Sequence, residues 1–391
     1  MPRRVGARTG KQMSRRRVVI LYKYIPQYRV AFFTRLHEIC RQRDVDLVVI
    51  HGDPGKADSL KGHSAKLDFA THVPNRFISV AGTELIWQPV LSRLGGADLV
   101  IVEQANKLLV NYALIAGQIL GLRKFAFWGH GRDLQAANRD SMSERMKRWL
   151  VRMPHWWFVY TEGTARYIQD IGYPRDRTTV VYNAIDTERL VAYRSEITCA
   201  EIDQARAQHG IVSQNICIYV GSMYPQKRID FLLQACKKIR SRIPDFHMIF
   251  IGAGPEEHLV RRFCDEHPWV TYLGGLFGRE KVKYFMMAKL FLMPGLVGLA
   301  ILDAFALGAP LVTTNVPHSP EIEYLENGRN GIMVTPAQSV DEYAAAVVRL
   351  LTDDLARMKM VANCADAAAR YTVENMARRF FDGMTRALAT N

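Results

Sequence analysis

Two short segments carry residue types and spacings suited to holding an anionic nucleotide. In YVGSMYPQKRID (219–230) a β-type run ends at Gly221, a loop containing Pro225 follows, and a helix is expected to open near Lys227. Free backbone N–H groups at a helix start, with Lys227 and Arg228 beside them, make a phosphate site. The plainer reading is a strand–helix loop with a solvated Lys-Arg pair. In PGLVGLAILDAFALGAPLV (294–312) a strand ends in Pro-Gly, a Gly-rich loop turns, and a helix is expected from about Gly298. Asp303 lies inside that otherwise apolar helix. A buried acid is costly unless something binds it, so Asp303 could accept hydrogen bonds from ribose hydroxyls. The plainer reading pairs it with a neighbouring basic residue. A third segment, FWGHGRD (127–133), follows a strand, which would project His130 from a strand end. A lone His at such a place is more often a satisfied loop residue.

With IGAGPEE (251–257) and HSPEIEYLENGRNGIMV (318–334), these segments resemble the donor-binding domain of glycosyltransferase family 4. The chain is similar to that family over nearly its whole length. The resemblance implies a retaining glycosyltransferase of GT-B fold, with two doubly wound Rossmann-like α/β domains facing across a cleft. The family's first segment usually reads G-R-x-x-x-x-K, its Arg and Lys holding the donor diphosphate. Lys227 matches, Ser222 stands at the Arg position, and Arg228 is adjacent. The second segment of the family has Glu, seven residues, then Glu; here these positions are Gly295 and Asp303. The implied donor set is Gly221, Ser222, Lys227, Arg228, Gly254, Gly298, Leu299 and Asp303, with His130, Lys227 and Asp303 in catalytic roles. His130 corresponds to a His that members commonly place near the transferred sugar. VVYNAIDTERL (180–190) resembles the family's N-G-x-D turn at the domain junction and keeps Asn183 and Asp186. After the first strand comes YKYIPQYRVAFF (22–33) instead of a Gly-Gly loop, so Tyr28 and Arg29, with Arg132, are expected to shape the acceptor side.

Two motifs are decoys. Asp44-Val45-Asp46 reads as the D-x-D of a metal-nucleotide site but precedes strand DLVVI, the wrong strand end for a ligand. Gly252-Ala253-Gly254 lacks the third glycine of a dinucleotide fingerprint and runs into Pro255. No cofactor and no metal are expected.

The elements that must position these residues alternate along the whole chain. Strands are expected at 17–22, 46–50, 77–80, 97–103, 123–127 and 155–160, with helical patterns at 30–43 and 106–120 between them. After a charged helical stretch at 187–214, read as a linker, strands resume at 215–221, 246–251, 290–294, 310–314 and 331–334. Apolar strands separated by helices form parallel sheets covered on both faces. Such sheets bind ligands beyond their carboxyl ends. The expected division is a basic arm over 1–17, disordered; an acceptor-binding domain over 18–186; a nucleotide-sugar-binding domain over 187–372; and a helix over 373–391 that crosses back to the first domain.

The 391 residues carry a formal +14 charge, and residues 1–190 hold 30 basic and 17 acidic side chains. That half would face the acceptor. Arg145, Arg148 and Arg152 recur on one helical stretch with Trp149, a pattern suited equally to an anionic lipid surface or to a helix packed on the sheet. Trp156 and Trp157 read as core. The six cysteines have no C-x-x-C pair and read as reduced core residues of a cytosolic protein. Leu108–Leu122 is apolar but interrupted by Asn111 and Gln118, which favours a buried helix over a membrane span. The expected partners are a UDP- or GDP-sugar, a lipid-linked or saccharide acceptor and an anionic membrane surface, with no nucleic acid. The expected location is cytoplasmic, peripheral at the inner face of the plasma membrane. The alternative is a catalytically silent GT-B homologue kept for binding or scaffolding.

Overall fold

The structure, a computed structural model, describes residues 15–55, 65–80, 83–131 and 149–390. The chain opens with β1 (Arg16–Tyr22), β2 (Val45–His51), β3 (Thr71–His72), β4 (Arg76–Val80), β5 (Thr83–Trp87), β6 (Leu99–Glu103), β7 (Lys124–Gly129), β8 (Trp156–Val159) and β9 (Thr178–Val180). Seven of these make one parallel sheet in the order β3-β2-β1-β6-β7-β8-β9. Its central strands are apolar because both faces are covered: Val18 to Leu21 are fully buried, as are Trp156 and Trp157. Helix α1 (Val30–Gln42) lies on one face, and α2 (Val110–Ile119) and α3 (Glu162–Asp170) also belong to this domain.

The run FISV (77–80) is not a strand of that sheet. It forms an antiparallel ribbon with β5, and every residue of β4 is exposed. An interior parallel strand has two covered faces; this one has a hairpin partner instead, set two residues away. The apolar stretch 108–122 is only partly interior. Leu114 and Ile115 are buried, whereas Ile119, Leu120 and Leu122 stand 67–71% exposed. Asp44 and Asp46 pair with Arg15 and Arg17 at the amino edge of the sheet.

The second sheet is built from β10 (Asn215–Val220), β11 (Phe246–Ile251), β12 (Val270–Tyr272), β13 (Leu290–Leu292), β14 (Leu311–Thr314) and β15 (Gly331–Val334). It too is parallel, in the order β12-β11-β10-β13-β14-β15. Its helices are α4 (Thr187–Glu196), α5 (Cys199–Gln208), α6 (Ile229–Arg242), α7 (Glu257–Glu266), α8 (Gly278–Phe285), α9 (Ala300–Leu307), α10 (Val340–Thr352) and α11 (Asp354–Arg370). The stretch 187–214 is not a free linker: Leu190, Ile197, Ala205 and Ile211 are buried in the second core. Its two helices start at side-chain caps, Asp186 and Thr198, the latter in a full capping box with Glu201.

The last helix, α12 (Val373–Ala389), packs on the first domain. Phe380 stacks on Phe158 at 4.3 Å and lies 4.9 Å from Trp128 and 5.3 Å from Phe32. Gly383 permits the close approach, since a Cβ there would stand 2.5 Å from Thr179 Oγ1 and 2.7 Å from the Phe158 ring. Glu374 is ion-paired to Arg35 of α1.

Candidate functional site

The carboxyl ends of β10, β11 and β13 converge on the donor half of the site. Gly252 and Gly254 bring the β11 loop against the β10 loop, at φ of 141° and 152°. A Cβ on Gly252 would meet the Gly221 carbonyl at 1.9 Å, and one on Gly254 the Met223 carbonyl at 2.5 Å. Only glycine fits both places. Ser222, in the position where the family has Arg, is exposed beside them.

Lys227 ends a 3₁₀ turn, Pro225–Lys227, and is 6% exposed. Its Nζ donates to the Leu296 carbonyl, sits 3.6 Å from Met293 Sδ, and lies 5.5 Å from the Tyr224 ring. Burial pushes its pKa down to about 8. The loop above it is tied down: the Leu296 N–H donates to Gln226 O at 2.8 Å. A Cβ on Gly295 would stand 2.3 Å from Gln226 O and 2.5 Å from Lys227 O, so the two loops close by contact through a missing side chain. His318 holds the same loop from the other side. Its Nε2 donates to Thr314 O at 2.8 Å, which leaves Nδ1 to accept from the Val297 N–H at 3.0 Å. Burial lowers its pKa, in keeping with a neutral ring. Helix α9 then follows Leu299 with no side-chain cap, and its Ile301 and Leu302 N–H groups turn back to Gly298 O at 3.2 Å and Leu299 O at 2.9 Å. Gly298 has no such steric need, its nearest neighbour being Ser319 Oγ at 3.7 Å.

Two expected donor residues already have protein partners. Arg228 adopts φ 57° at the start of α6. Its guanidinium donates to Thr314 Oγ1 at 2.9 Å and Ala337 O at 2.8 Å, and lies 4.1 Å from the Phe231 ring. It ties α6 to the end of β14, where Thr314 Oγ1 in turn donates to Pro294 O at 2.6 Å. Asp303 is buried in the first turn of α9, and its Oδ1 accepts from Lys281 Nζ at 2.8 Å. The neighbouring basic residue considered for it is therefore present, on α8, and a ribose would share the carboxylate with it.

The first domain supplies the opposite wall. Arg29 is 1% exposed, donates to Tyr160 Oη at 3.0 Å, and lies 5.0 Å from both the Tyr28 and Trp128 rings. His130, next after β7, lies 4.7 Å from the Tyr160 ring. Burial lowers its pKa, against the pull of Glu321, and its Nδ1 has no hydrogen-bond partner among the described residues. Arg29 Nε and Asn183 Oδ1 are likewise buried without hydrogen-bond partners among the described residues. Arg132, and with it Arg145 and Arg148, lies outside the described residues; Arg152 donates to the Ile171 carbonyl.

Contacts between the domains come from the 3₁₀ turn Pro320–Tyr324, inside HSPEIEYLENGRNGIMV, whose acids carry no expected role. Glu321 accepts from Asn183 Nδ2, and Tyr324 Oη donates to Asn183 O at 2.9 Å. Glu323 caps α3 across the cleft, accepting from Thr161 Oγ1 and the Gly163 N–H at 2.9 Å each. Two acids in a Pro-led turn were the available signal. Among the described residues no three His, Cys, Asp or Glu side chains gather to hold a metal ion, and no helix is long and apolar enough to cross a membrane.

A model of the family described as Glycosyl transferases group 1 matches residues 214–353. Over 94% of its length the chain superposes on 99% of HepE from Anabaena, solved with UDP, at a TM-score of 0.69 and 17% identity. The fold is GT-B. Two curated relatives are similar in sequence. O-antigen chain mannosyltransferase B of Escherichia coli is 28% identical over 53% of this chain and 54% of its own. The GDP-mannose-dependent alpha-(1-6)-phosphatidylinositol monomannoside mannosyltransferase of Mycobacterium tuberculosis is 27% identical over 50% and 52%. The chain thus spans about half the length of the curated relatives it matches. In this GT-B chain the family match covers the donor-side loops from Gly221 to Leu299 and leaves Tyr28, Arg29 and His130 outside it.

Proposed function

We propose that the protein is a retaining, metal-independent glycosyltransferase. It moves a sugar from a UDP- or GDP-sugar to an acceptor at the inner membrane surface, a lipid-linked saccharide of polysaccharide or glycolipid synthesis. The observation that carries this reading is Lys227. Its buried ammonium has a carbonyl, a thioether and a ring around it, and the carbonyl belongs to the loop that leads into a helix without a side-chain cap. Such a cation gains most from an anion that enters the cleft. Relatives whose names specify mannosyl transfer, one from GDP-mannose to a phosphatidylinositol mannoside, support the substrate class; the UDP-bound fold neighbour keeps the uridine donor open.

In this mechanism the bond from the anomeric carbon to the β-phosphate oxygen breaks, and charge grows on the departing diphosphate. Lys227 and the N–H groups of Gly298 and Leu299 stabilise it, with Asp303 on the ribose. The acceptor hydroxyl attacks on the face the diphosphate leaves, and its proton passes to the leaving phosphate oxygen. Neutral His130 offers its unpartnered Nδ1 to the sugar. The contacts of Glu321 and Glu323 close the cleft and limit hydrolysis.

A thermal-shift panel of UDP, GDP and ADP, with and without magnesium, tests the donor site on wild type and Asp303→Ala. One nucleotide should raise the melting temperature without metal, by about 2.7 kcal/mol of stabilisation at a hundredfold excess over Kd. The shift should shrink in the variant. If no nucleotide shifts the wild type, the reading is lost.

A further inference from the structure

A second cavity, of about 330 Å³, lies at the carboxyl ends of β1, β2 and β3, away from Lys227 and His130. Its apolar wall includes Ile25, Pro54 and Leu67, and its polar wall is His51, Asp53, Lys66 and His72. The polar wall is pre-set. His51 is buried and its Nδ1 donates to Gly52 O at 3.0 Å, which leaves Nε2 as an acceptor. His72 Nε2 donates to Asp53 Oδ1 at 2.8 Å. Asn75 clamps the floor, donating to Lys23 O at 2.9 Å and Asp53 O at 2.8 Å, and Gly52 leaves the room it needs. On the far side the Ala65 N–H donates to Ile25 O at 2.8 Å.

Mixed donors and acceptors facing an apolar wall suit a sugar ring, which has hydroxyls at its rim and C–H groups on its face. The Asp53 carboxylate, together with a His51 ring that burial keeps neutral, disfavours a phosphate. The distance gives the ligand its place. β2 and β7 are three strands apart in the sheet, roughly 14 Å at the usual strand spacing. That is the reach of a few linked sugars from His130.

We propose that this cavity is a remote acceptor subsite, which binds a sugar residue of the acceptor chain two or three units behind the one that reacts. The proposal rests on the transferase reading and makes acceptor length a determinant of affinity. Binding of methyl α-mannoside, α-linked mannobiose and mannotriose, and their gluco counterparts, can be measured by calorimetry. Wild type, Asp53→Asn and the exposed Lys66→Ala should be compared. In one series the trisaccharide should bind at least tenfold tighter than the monosaccharide. Both variants should erase most of that gain and leave monosaccharide binding and the nucleotide thermal shift unchanged. Affinity independent of length, a length effect untouched by both variants, or no saccharide binding overturns the proposal. The nucleotide shift is scored separately, so loss of the donor reading is distinguishable from loss of this one.

Discussion

Lys227 holds a charge where the fold would rather have none. Its pKa falls from the usual 10.5 to about 8, so below pH 8 both folded and unfolded chains carry the proton and the burial penalty stands in full. Between pH 8 and 10.5 the unfolded chain holds more protons, and stability from this group rises with pH. The ceiling is roughly 3 kcal/mol at 1.36 kcal/mol per unit. Lys227→Met is therefore expected to stabilise the empty protein at pH 7 by about 1–3 kcal/mol, an advantage that fades as the pH passes 8. The same variant should lose the nucleotide-induced shift; melting curves at pH 7 and 9.5 with and without nucleotide check both halves. Gly295 gives the opposite lesson. Placing there the Glu that glycosyltransferase family 4 carries, by Gly295→Glu, should destabilise by about 2 kcal/mol or more and not raise activity, because its Cβ would press on Gln226 and Lys227 backbone; a variant with unchanged melting temperature and higher turnover would refute that. The sequence could name Lys227 as a candidate because cation, Pro turn and helix start are local. It could not tell that Arg228 turns to Thr314 and Ala337, since a left-handed residue at the head of α6 and partners 86 and 109 residues on are tertiary facts. Nor could it find Lys281 for Asp303, which lies 22 residues upstream on α8.

At the scale of elements, long apolar strands were legible because burial on two faces leaves an uninterrupted signal, as in NICIYV and FHMIFI. Short edge strands such as Val270–Tyr272 and Thr71–His72 carry too few residues for a pattern. The β4–β5 ribbon misled for the converse reason: FISV has strand composition, but composition does not say which partner it finds. Helix α12 makes the clearest energetic case. Phe380 is fully buried between Phe158, Trp128 and Phe32, so Phe380→Ala should cost about 3–5 kcal/mol. Because α12 closes the first domain's core, the loss should fall on that domain. Hydrogen exchange is expected to quicken in β7, β8 and α1 and to stay unchanged in β10 and β11; equal loss in both sheets would contradict that assignment.

Over the whole molecule, the described side chains that join the two domains are those of Asn183, Glu321, Tyr324 and Glu323 among others, and Glu323 crosses to a helix end. Its carboxylate on the first turn of α3 gains from the helix dipole as well as from its two hydrogen bonds. The fit depends on Gly163, where a Cβ would stand 2.1 Å from Glu323 Oε1. This separates two effects that usually travel together. Gly→Ala within a helix ordinarily stabilises it by up to about 1 kcal/mol, so Gly163→Ala should leave the first domain as stable or more so while expelling Glu323 from its seat. Small-angle scattering should then give a larger radius of gyration for Gly163→Ala than for wild type. Donor hydrolysis in the absence of acceptor should rise several-fold, since water reaches a cleft no longer held shut. Glu323→Gln should act in the same direction but more weakly, because an amide oxygen can still accept from Thr161. If Gly163→Ala keeps the compact radius and the low hydrolysis rate, closure is set by the Asn183 contacts with Glu321 and Tyr324 alone, and Glu323 is only a surface cap.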